Sequence, residues 1–380
     1  MSGPILHPGP RLLIGHGRAP ELAELLPPGP VLLVTDQAVR AMGLLDALTA
    51  EIERDHQLVL FDSVEADPSR ATLLAAVEAG RAAGATSVVG FGGGSPMDVA
   101  KLAAYLLGSG DDLDTIWGVG LARGRRLPLA LVPTTAGTGS EATPVAIITV
   151  EGAEKRGVNS AALIPDWAVL DAGLTLGKPR GLTAATGIDA MVHAIEAYTS
   201  ARAKNPVSDM QAREALRLLS ANLVAACEQP GNIAAREAML VGAHLAGLAF
   251  ANAPVAGVHA LAYPLGGIHH LPHGLSNALM LRPVLSFNLA AAREPYAELA
   301  AILDPTVSAL GTQAAAAQLV EQLEALVLAS GLKPRLRDHG IAVEEAPMLA
   351  REAMKQTRLL VNNPVPIGEE DARRLYEAAW

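Results

Sequence analysis

The residues best equipped for chemistry lie in the second half of the chain. In Gly187-Ile188-Asp189-Ala190-Met191-Val192-His193 an aspartate and a histidine stand four apart on a predicted helix, so both side chains project from one face. A second segment, Val258 to Gly274, holds His259, His269, His270 and His273, four of the ten histidines in the chain. Three imidazoles and one carboxylate would make a mixed nitrogen and oxygen site for a divalent transition metal, with positions left for water or a substrate oxygen. Each of these residues alone also fits a helix cap or a surface histidine. Together they point to a metal site.

The first half carries a different signal. Val88-Val89-Gly90-Phe91-Gly92-Gly93-Gly94-Ser95-Pro96-Met97-Asp98 reads as a buried strand that breaks into glycines before a helix starting around Pro96. Backbone amides without a Cβ in the way can approach phosphate oxygens, and the positive end of the helix dipole adds attraction, so this loop suits a pyrophosphate. Its spacing differs from the G-x-G-x-x-G fingerprint, and a plain strand-to-helix turn would look similar. Pro133 to Glu141 forms a second Gly/Thr loop after the strand Leu129 to Val132. Both loops leave carboxyl ends of parallel strands, where open α/β sheets bind ligands. Asp36, ending the strand Val31 to Thr35, could accept from ribose hydroxyls and repel a 2′-phosphate, favouring NAD over NADP; an N-cap for the next helix is the other role open to it.

The elements that must position these residues follow from periodicity. Val31–Thr35, Leu58–Phe61, Thr86–Phe91 and Leu129–Val132 read as strands, and Ala38–Glu53 and Arg70–Gly84 as amphipathic helices packed on a parallel sheet. From Leu182 on no strand is evident. Met191–Thr199, Asp209–Cys227, Ala234–Ala251, Gln313–Leu328 and Glu369–Ala379 read as helices, and Asp171–Thr183, rich in Gly and Pro, as the linker. The expected architecture is an α/β dinucleotide-binding domain with a Rossmann-like parallel sheet over residues 1–180, then an all-α metal-binding domain over residues 181–380. Cofactor and substrate are expected to meet in a cleft between the two.

With half of its 380 residues hydrophobic, the chain can bury two cores of this kind. The excess of acidic over basic residues, 39 against 29, and the lack of a basic run leave no footprint for nucleic acid. The single cysteine, Cys227, excludes an intramolecular disulfide and a thiolate cluster. Met1–Pro10 has no signal-peptide pattern, and no run is seen approaching the roughly 20 apolar residues that span a bilayer, so a cytoplasmic location without a membrane partner is expected.

In order and spacing these motifs resemble the iron-containing alcohol dehydrogenases over nearly the whole chain. The resemblance rests on Gly92 to Asp98, Pro133 to Glu141, Lys155 before Pro165-Asp166, Asp171 to Thr175, the Asp189 and His193 helix, the His259 to His273 segment, and the tail Asn363-Pro364-Val365-Pro366. It implies a dehydroquinate synthase-like fold and a homo-oligomer. It further implies that Asp189, His193, His259 and His273 ligate Fe(II) or, second, Zn(II), and that Asp36, Gly94, Ser95, Asp98, Thr134, Thr135, Thr138, Lys155 and Leu174 line NAD, with NADP the alternative. Asp67 falls where the family often has Asn before Pro, and would alter cofactor or substrate contacts. Tyr263 replaces a histidine that many members carry four residues after the third ligand. A phenol there could relay a proton, although its ordinary pKa near 10 makes it a weak base at neutral pH.

The activity so implied is hydride transfer between the nicotinamide and a small alcohol or aldehyde held by the ion. A dehydroquinate synthase-like, glycerol(phosphate) dehydrogenase-like or maleylacetate reductase-like enzyme of the same fold is the alternative, as is a metal-holding protein without catalysis. A phosphorylated, carboxylated substrate would need cations, yet Ala184–Val192 and Val255–Asn277 contain no Lys or Arg.

Overall fold

The computed structural model describes residues 6–150 and 154–380. Met1–Ile5, half of the segment judged above for a signal peptide, lie outside the described residues. Two compact units emerge, one of His7–Leu176 and one of Gly177–Trp380 together with Leu6.

The first unit is built on strands β1 (Arg11–Ile14), β2 (Val31–Val34), β3 (Leu58–Phe61), β4 (Ser87–Gly92), β5 (Gly118–Val119), β6 (Leu129–Pro133), β7 (Val145–Thr149), β8 (Lys155–Asn159) and β9 (Trp167–Leu170). Six of them form a parallel sheet in the order β1-β9-β6-β4-β2-β3. Strands β2, β4 and β6 are buried along their whole length, as continuous apolar runs in a sheet covered on both faces should be. Alternate residues feed two cores. Leu32, Val34, Val88 and Leu131 pack with Met97, Leu102 and Tyr105 on one face. Val31, Leu33, Val89, Phe91 and Val132 pack with Leu22, Leu48 and Ile52 on the other.

Helices α1 (Gln37–Ala41), α2 (Asp46–Asp55), α3 (Arg70–Ala82) and α4 (Gly94–Ser109) complete this unit. The single helix expected over Ala38–Glu53 is therefore two. Gly43, at φ +68°, takes the left-handed conformation that ends α1 and turns the chain before α2. Helix α4 begins at Gly94, before Pro96, because Pro fits the first turn of a helix where no amide is needed. A small second sheet, β5-β8-β7, with β7 and β8 antiparallel, was not evident in the pattern; nor were β1 and β9. Edge strand β1 exposes three of its four residues and so lacks a core-strand signature.

The second unit contains α5 (Arg180–Tyr198), α6 (Pro206–Glu228), α7 (Ile233–Asn252), α8 (Gly257–His269), α9 (His273–Asn288), α10 (Arg293–Leu303), α11 (Thr312–Ser330), α12 (Ala346–Ala353), α13 (Thr357–Leu360) and α14 (Glu369–Ala379). Among the described residues no strand follows Leu170. Helix α5 starts well before the expected Met191 and takes in part of the expected linker, which elsewhere folds as a helical turn over Ala172–Thr175. Gly187 is a packing residue inside α5: a Cβ there would meet Leu223 Cδ1 at 2.5 Å and the Met239 methyl at 2.7 Å. One expectation is corrected. Helix α7 is 20 residues long and, with a mean hydropathy of 1.3, long and apolar enough to cross a membrane. That apolar surface is mostly buried inside the protein, packed on α5 and α6.

Candidate functional site

In the first unit the chain reverses its direction of winding between β2 and β4: β2 is followed by β3 on one side, and β4 by β6 on the other. Such a switch point opens a crevice at the carboxyl ends of the strands. Asp36 stands at the end of β2, and the glycine loop at the end of β4. Gly92 adopts φ +149°, and a Cβ on it would meet Pro96 Cγ at 2.8 Å and Asp36 Oδ2 at 3.4 Å. Gly93 is the N-cap of α4 and offers no side-chain cap, leaving the first amides of a 16-residue helix available to an anion.

The second loop leaves the neighbouring strand β6 and is tied to the first, the Thr134 amide donating to Gly92 O at 2.9 Å. Cβ atoms placed on Gly94 and Gly93 would fall 3.1 Å from Thr138 Cγ2 and 3.8 Å from Thr135 Oγ1. Leu174, in the turn after β9, packs with Val132 and Val169. Asp36, Gly94, Ser95, Thr134, Thr135, Thr138 and Leu174 thus gather at the carboxyl ends of the adjacent strands β2, β4, β6 and β9. Asp36 also caps α1, its Oδ1 accepting from the Val39 amide at 2.8 Å, so the cap leaves Oδ2 for another partner.

Three other expected contacts are engaged with the protein. Asp98 Oδ1 accepts from Ser140 Oγ (2.7 Å) and Oδ2 from the Ile147 amide (2.9 Å), which anchors α4 to the second loop and to β7. Asp67, at φ +54°, accepts from Lys155 Nζ at 2.6 Å; these two residues pair at the β7 edge, where Thr149 Oγ1 donates to Asp67 O.

Lys101, absent from the sequence-based set, is the hub beneath the loops. Fully buried, its ammonium donates to Ser140 Oγ (2.8 Å), Thr143 Oγ1 (3.2 Å) and Val145 O (2.7 Å). Burial pushes it down to about 8, against the opposing pull of Asp98 and Glu141. Because an unfolded lysine titrates near ~10.4, the unfolded chain binds more protons between those values, and stability should rise with pH through that window. The expected gain is on the order of a few kcal/mol. Urea titrations from pH 7.5 to 10.5 should show this slope in the wild type and a flatter one in Lys101→Met. Equal slopes would exclude a depressed Lys101.

In the second unit Asp189 and His193 lie one turn apart on α5, His259 is in the first turn of α8, and His273 is the first residue of α9. The structure brings all four together: one ligand atom from each falls within 4.8 Å of the others. The Nε2 atoms of His259 and His273 are each 3.6 Å from Asp189 Oδ1, and that of His193 3.8 Å. His193 stacks between Phe250 (4.4 Å) and His259 (4.7 Å). Three of the groups are buried, whereas the His273 side chain is 49% exposed, so the cluster is open on that side. Tyr263, one turn after His259, meets His273 edge-on at 6.1 Å between ring centroids.

Burial disfavours charge on His259, but Glu196 and Asp189 outweigh it and push the imidazole up to about 9. Burial would likewise raise Asp189, yet the surrounding imidazolium charges hold it far below the usual carboxylate range. Asn277 is fully buried one turn after His273. Its Nδ2 donates to Asp189 Oδ1 (2.6 Å) and sits against Nε2 of His259 (3.2 Å) and of His273 (3.3 Å), while its own Oδ1 has no partner among the described residues. The amide nitrogen thus lies where Asp189, His259 and His273 converge, and one carboxylate with three imidazoles fits a divalent transition metal. Asn277 and Glu196 were missed by sequence reasoning. Spacing offered a signal for both, since each continues the helix face of a candidate ligand.

Residues 9–172 match the family model described as iron-containing alcohol dehydrogenase, and residues 183–380 match its C-terminal counterpart. Long-chain-alcohol dehydrogenase 1 of Geobacillus thermodenitrificans is 39% identical over 354 residues, 92% of this chain and 89% of that protein. The crystal structure of a 1,3-propanediol oxidoreductase superposes with a TM-score of 0.95 at 33% identity, covering all of both chains. Sulfoacetaldehyde reductase from Bifidobacterium kashiwanohense in complex with NAD+ superposes with a TM-score of 0.87 at 29% identity, covering all of this chain and 99% of that one.

Proposed function

Because this chain belongs to the iron-containing alcohol dehydrogenase family, matched over both units, we propose that it is an NAD-linked oxidoreductase interconverting a small uncharged alcohol and its aldehyde at iron(II), with zinc(II) the second choice. The observation that carries this reading is the convergence of Asp189, His193, His259 and His273 at one point. In the first unit, loops at a sheet switch point support it with helix amides free to take an anion. When bound, the ion supplies Lewis acidity and the nicotinamide the hydride. The chain's own part is to hold and orient. Glu196 bonds to His259 and Asn277 to Asp189, the α4 amides would take the pyrophosphate, and Tyr263 lies beside His273, where a phenol could pass a proton.

The substrate class rests on charge and on kinship. The segments bearing the ligands contain no Lys or Arg, which disfavours a phosphorylated or sulfonated molecule and the lyase alternative. Relatives named for long-chain alcohols and for 1,3-propanediol suggest an aliphatic alcohol. The direct test is anaerobic loading of the stripped protein with iron(II) or zinc(II), then NADH or NADPH oxidation with straight-chain aldehydes of increasing length. Metal-dependent NADH oxidation is expected; none with any metal and aldehyde would sink the reading.

For the cofactor, Asp36 is the residue that supports NAD over NADP. Its carboxylate beside Gly92 should accept a ribose hydroxyl and repel a 2′-phosphate. Asp36→Ser keeps an N-cap for α1 and removes the charge. The ratio of kcat/KM for NADPH over NADH should rise at least about tenfold, the equivalent of ~1.4 kcal/mol of relieved repulsion. An unchanged ratio would place the discrimination elsewhere.

A further inference from the structure

Glu196 lies one turn beyond His193, on the same face of α5 as Asp189 and His193, and its side chain is 5% exposed. Three groups of the α8 N-terminus converge on it. Oε2 lies 2.7 Å from Nδ1 of His259 and accepts from the Ala256 amide at 2.8 Å, while Oε1 accepts from the Val258 amide at 2.6 Å. Ala256, the N-cap of α8, has no side-chain acceptor of its own, so the cap comes from another helix.

We infer that Glu196 is the positioning residue of the metal centre, setting both the tautomer and the ring orientation of His259. This rests on the reading of Asp189, His193, His259 and His273 as the ligands. A carboxylate that already takes two amide protons is acceptor-only, so in neutral imidazole the proton belongs on Nδ1 and the lone pair on Nε2. The other side of the ring agrees. Nε2 faces Asp189 Oδ1 at 3.6 Å and the amide nitrogen of Asn277 at 3.2 Å, and Asn277 is held in that orientation by its 2.6 Å bond to the same Asp189 oxygen. An acceptor at Nδ1 and a donor at Nε2 select one tautomer, the one that presents its lone pair where the other three donors meet. Because the two amides clamp the carboxylate, the imidazole plane is held as well, and the helix that carries two ligands aims the third. Such outer partners typically carry 10- to 100-fold in metal affinity.

Glu196→Gln separates this role from helix capping. In one rotamer the Gln oxygen still accepts from Ala256 and His259, but its NH2 opposes the Val258 amide. In the other the NH2 faces Nδ1 and drives the proton to Nε2. Zinc affinity is measured by chelator competition on the full chain, beside the cobalt(II) ligand-field spectrum, the melting point of the metal-free protein and the affinity for NADH. Expected for Glu196→Gln are a zinc Kd 10- to 100-fold weaker, a changed cobalt(II) band and an unchanged NADH Kd. A zinc Kd and cobalt(II) band equal to wild type, with only the metal-free melting point lowered, would make Glu196 a helix cap and overturn the inference. If the variant does not fold, ¹⁵N NMR of the zinc-loaded wild type decides: His259 must carry its proton on Nδ1, and a proton on Nε2 overturns the inference. A wild type that takes up no zinc overturns the ligand reading itself, and this inference with it.

Discussion

His259→Ala is expected to lower kcat by about three orders of magnitude after iron or zinc loading, with NADH affinity unchanged. Lewis-acid stabilisation of a developing charge is worth several kcal/mol, and ~4 kcal/mol corresponds to roughly 10³ in rate. His259 is the ligand whose loss should be felt most fully. It is buried, it stacks on His193, and its Nδ1 is bonded to Glu196. Removing the ring takes away one donor and leaves the buried Glu196 carboxylate without its imidazole partner, so neighbouring side chains cannot simply close over the gap. The Gly/Thr loops proposed to hold the cofactor belong to the other compact unit, and the substitution leaves their residues unchanged. Steady-state turnover, metal content and NADH binding measured on one preparation check this. A variant that keeps full metal occupancy and turns over within tenfold of wild type would remove His259 from the ligand set.

Gly274→Ala should damage the same centre without touching a ligand. A Cβ at Gly274 would fall well inside contact distance of the Ala185 carbonyl oxygen, 2.6 Å from the carbonyl carbon and 3.3 Å from Asp189 Cβ. The first turn of α9 therefore approaches the backbone of α5 with no room for a methyl group, and rigid backbone cannot yield as a flexible side chain would. The residues on the two sides of this contact are His273 and Asp189. Overpacking of this kind costs about 1–3 kcal/mol, and moving α9 aside carries His273 away from Asp189. The expected outcome is a lower melting point together with a metal Kd at least tenfold weaker, a tenfold change being ~1.4 kcal/mol of binding. Gly267→Ala is the matched control. That glycine is exposed in α8 with nothing within 4 Å of the added atom, so alanine should gain about 0.5–1 kcal/mol from helix propensity. If Gly274→Ala melts and binds metal like the control, the close approach of α9 to α5 is not what sets the site.

What could be read from the sequence was whatever is encoded locally. Strands β2, β4 and β6 were legible because a parallel strand buried on both faces is an unbroken apolar run. The glycine loop after β4 was legible because only glycine permits that turn and that approach to Pro96. Asp189 and His193 could be paired because helical geometry alone puts residues four apart on one face. The break between α1 and α2 was missed because apolar periodicity carries across a short turn, and Gly43 is a single residue against it. Edge strand β1 depends on β9, a partner distant in the chain, so its own residues say little.

The site divides in the same way. Its ligand candidates were legible as residue types at suggestive spacings, but that α5, α8 and α9 bring them within 4.8 Å of one another is a property of helix packing. Glu196 reaches an imidazole 63 positions away, and Asn277 a carboxylate 88 positions away. No spacing or motif singled out Lys101, which the fold encloses among Ser140, Thr143 and Val145. Local spacing determines which way side chains leave a helix or strand, and that much the sequence by itself determined here. Which of them meet, and which backbone must pass close enough to require Gly187 or Gly274, was decided only when whole faces packed, because burial of apolar area is non-directional and acts on the assembled surface.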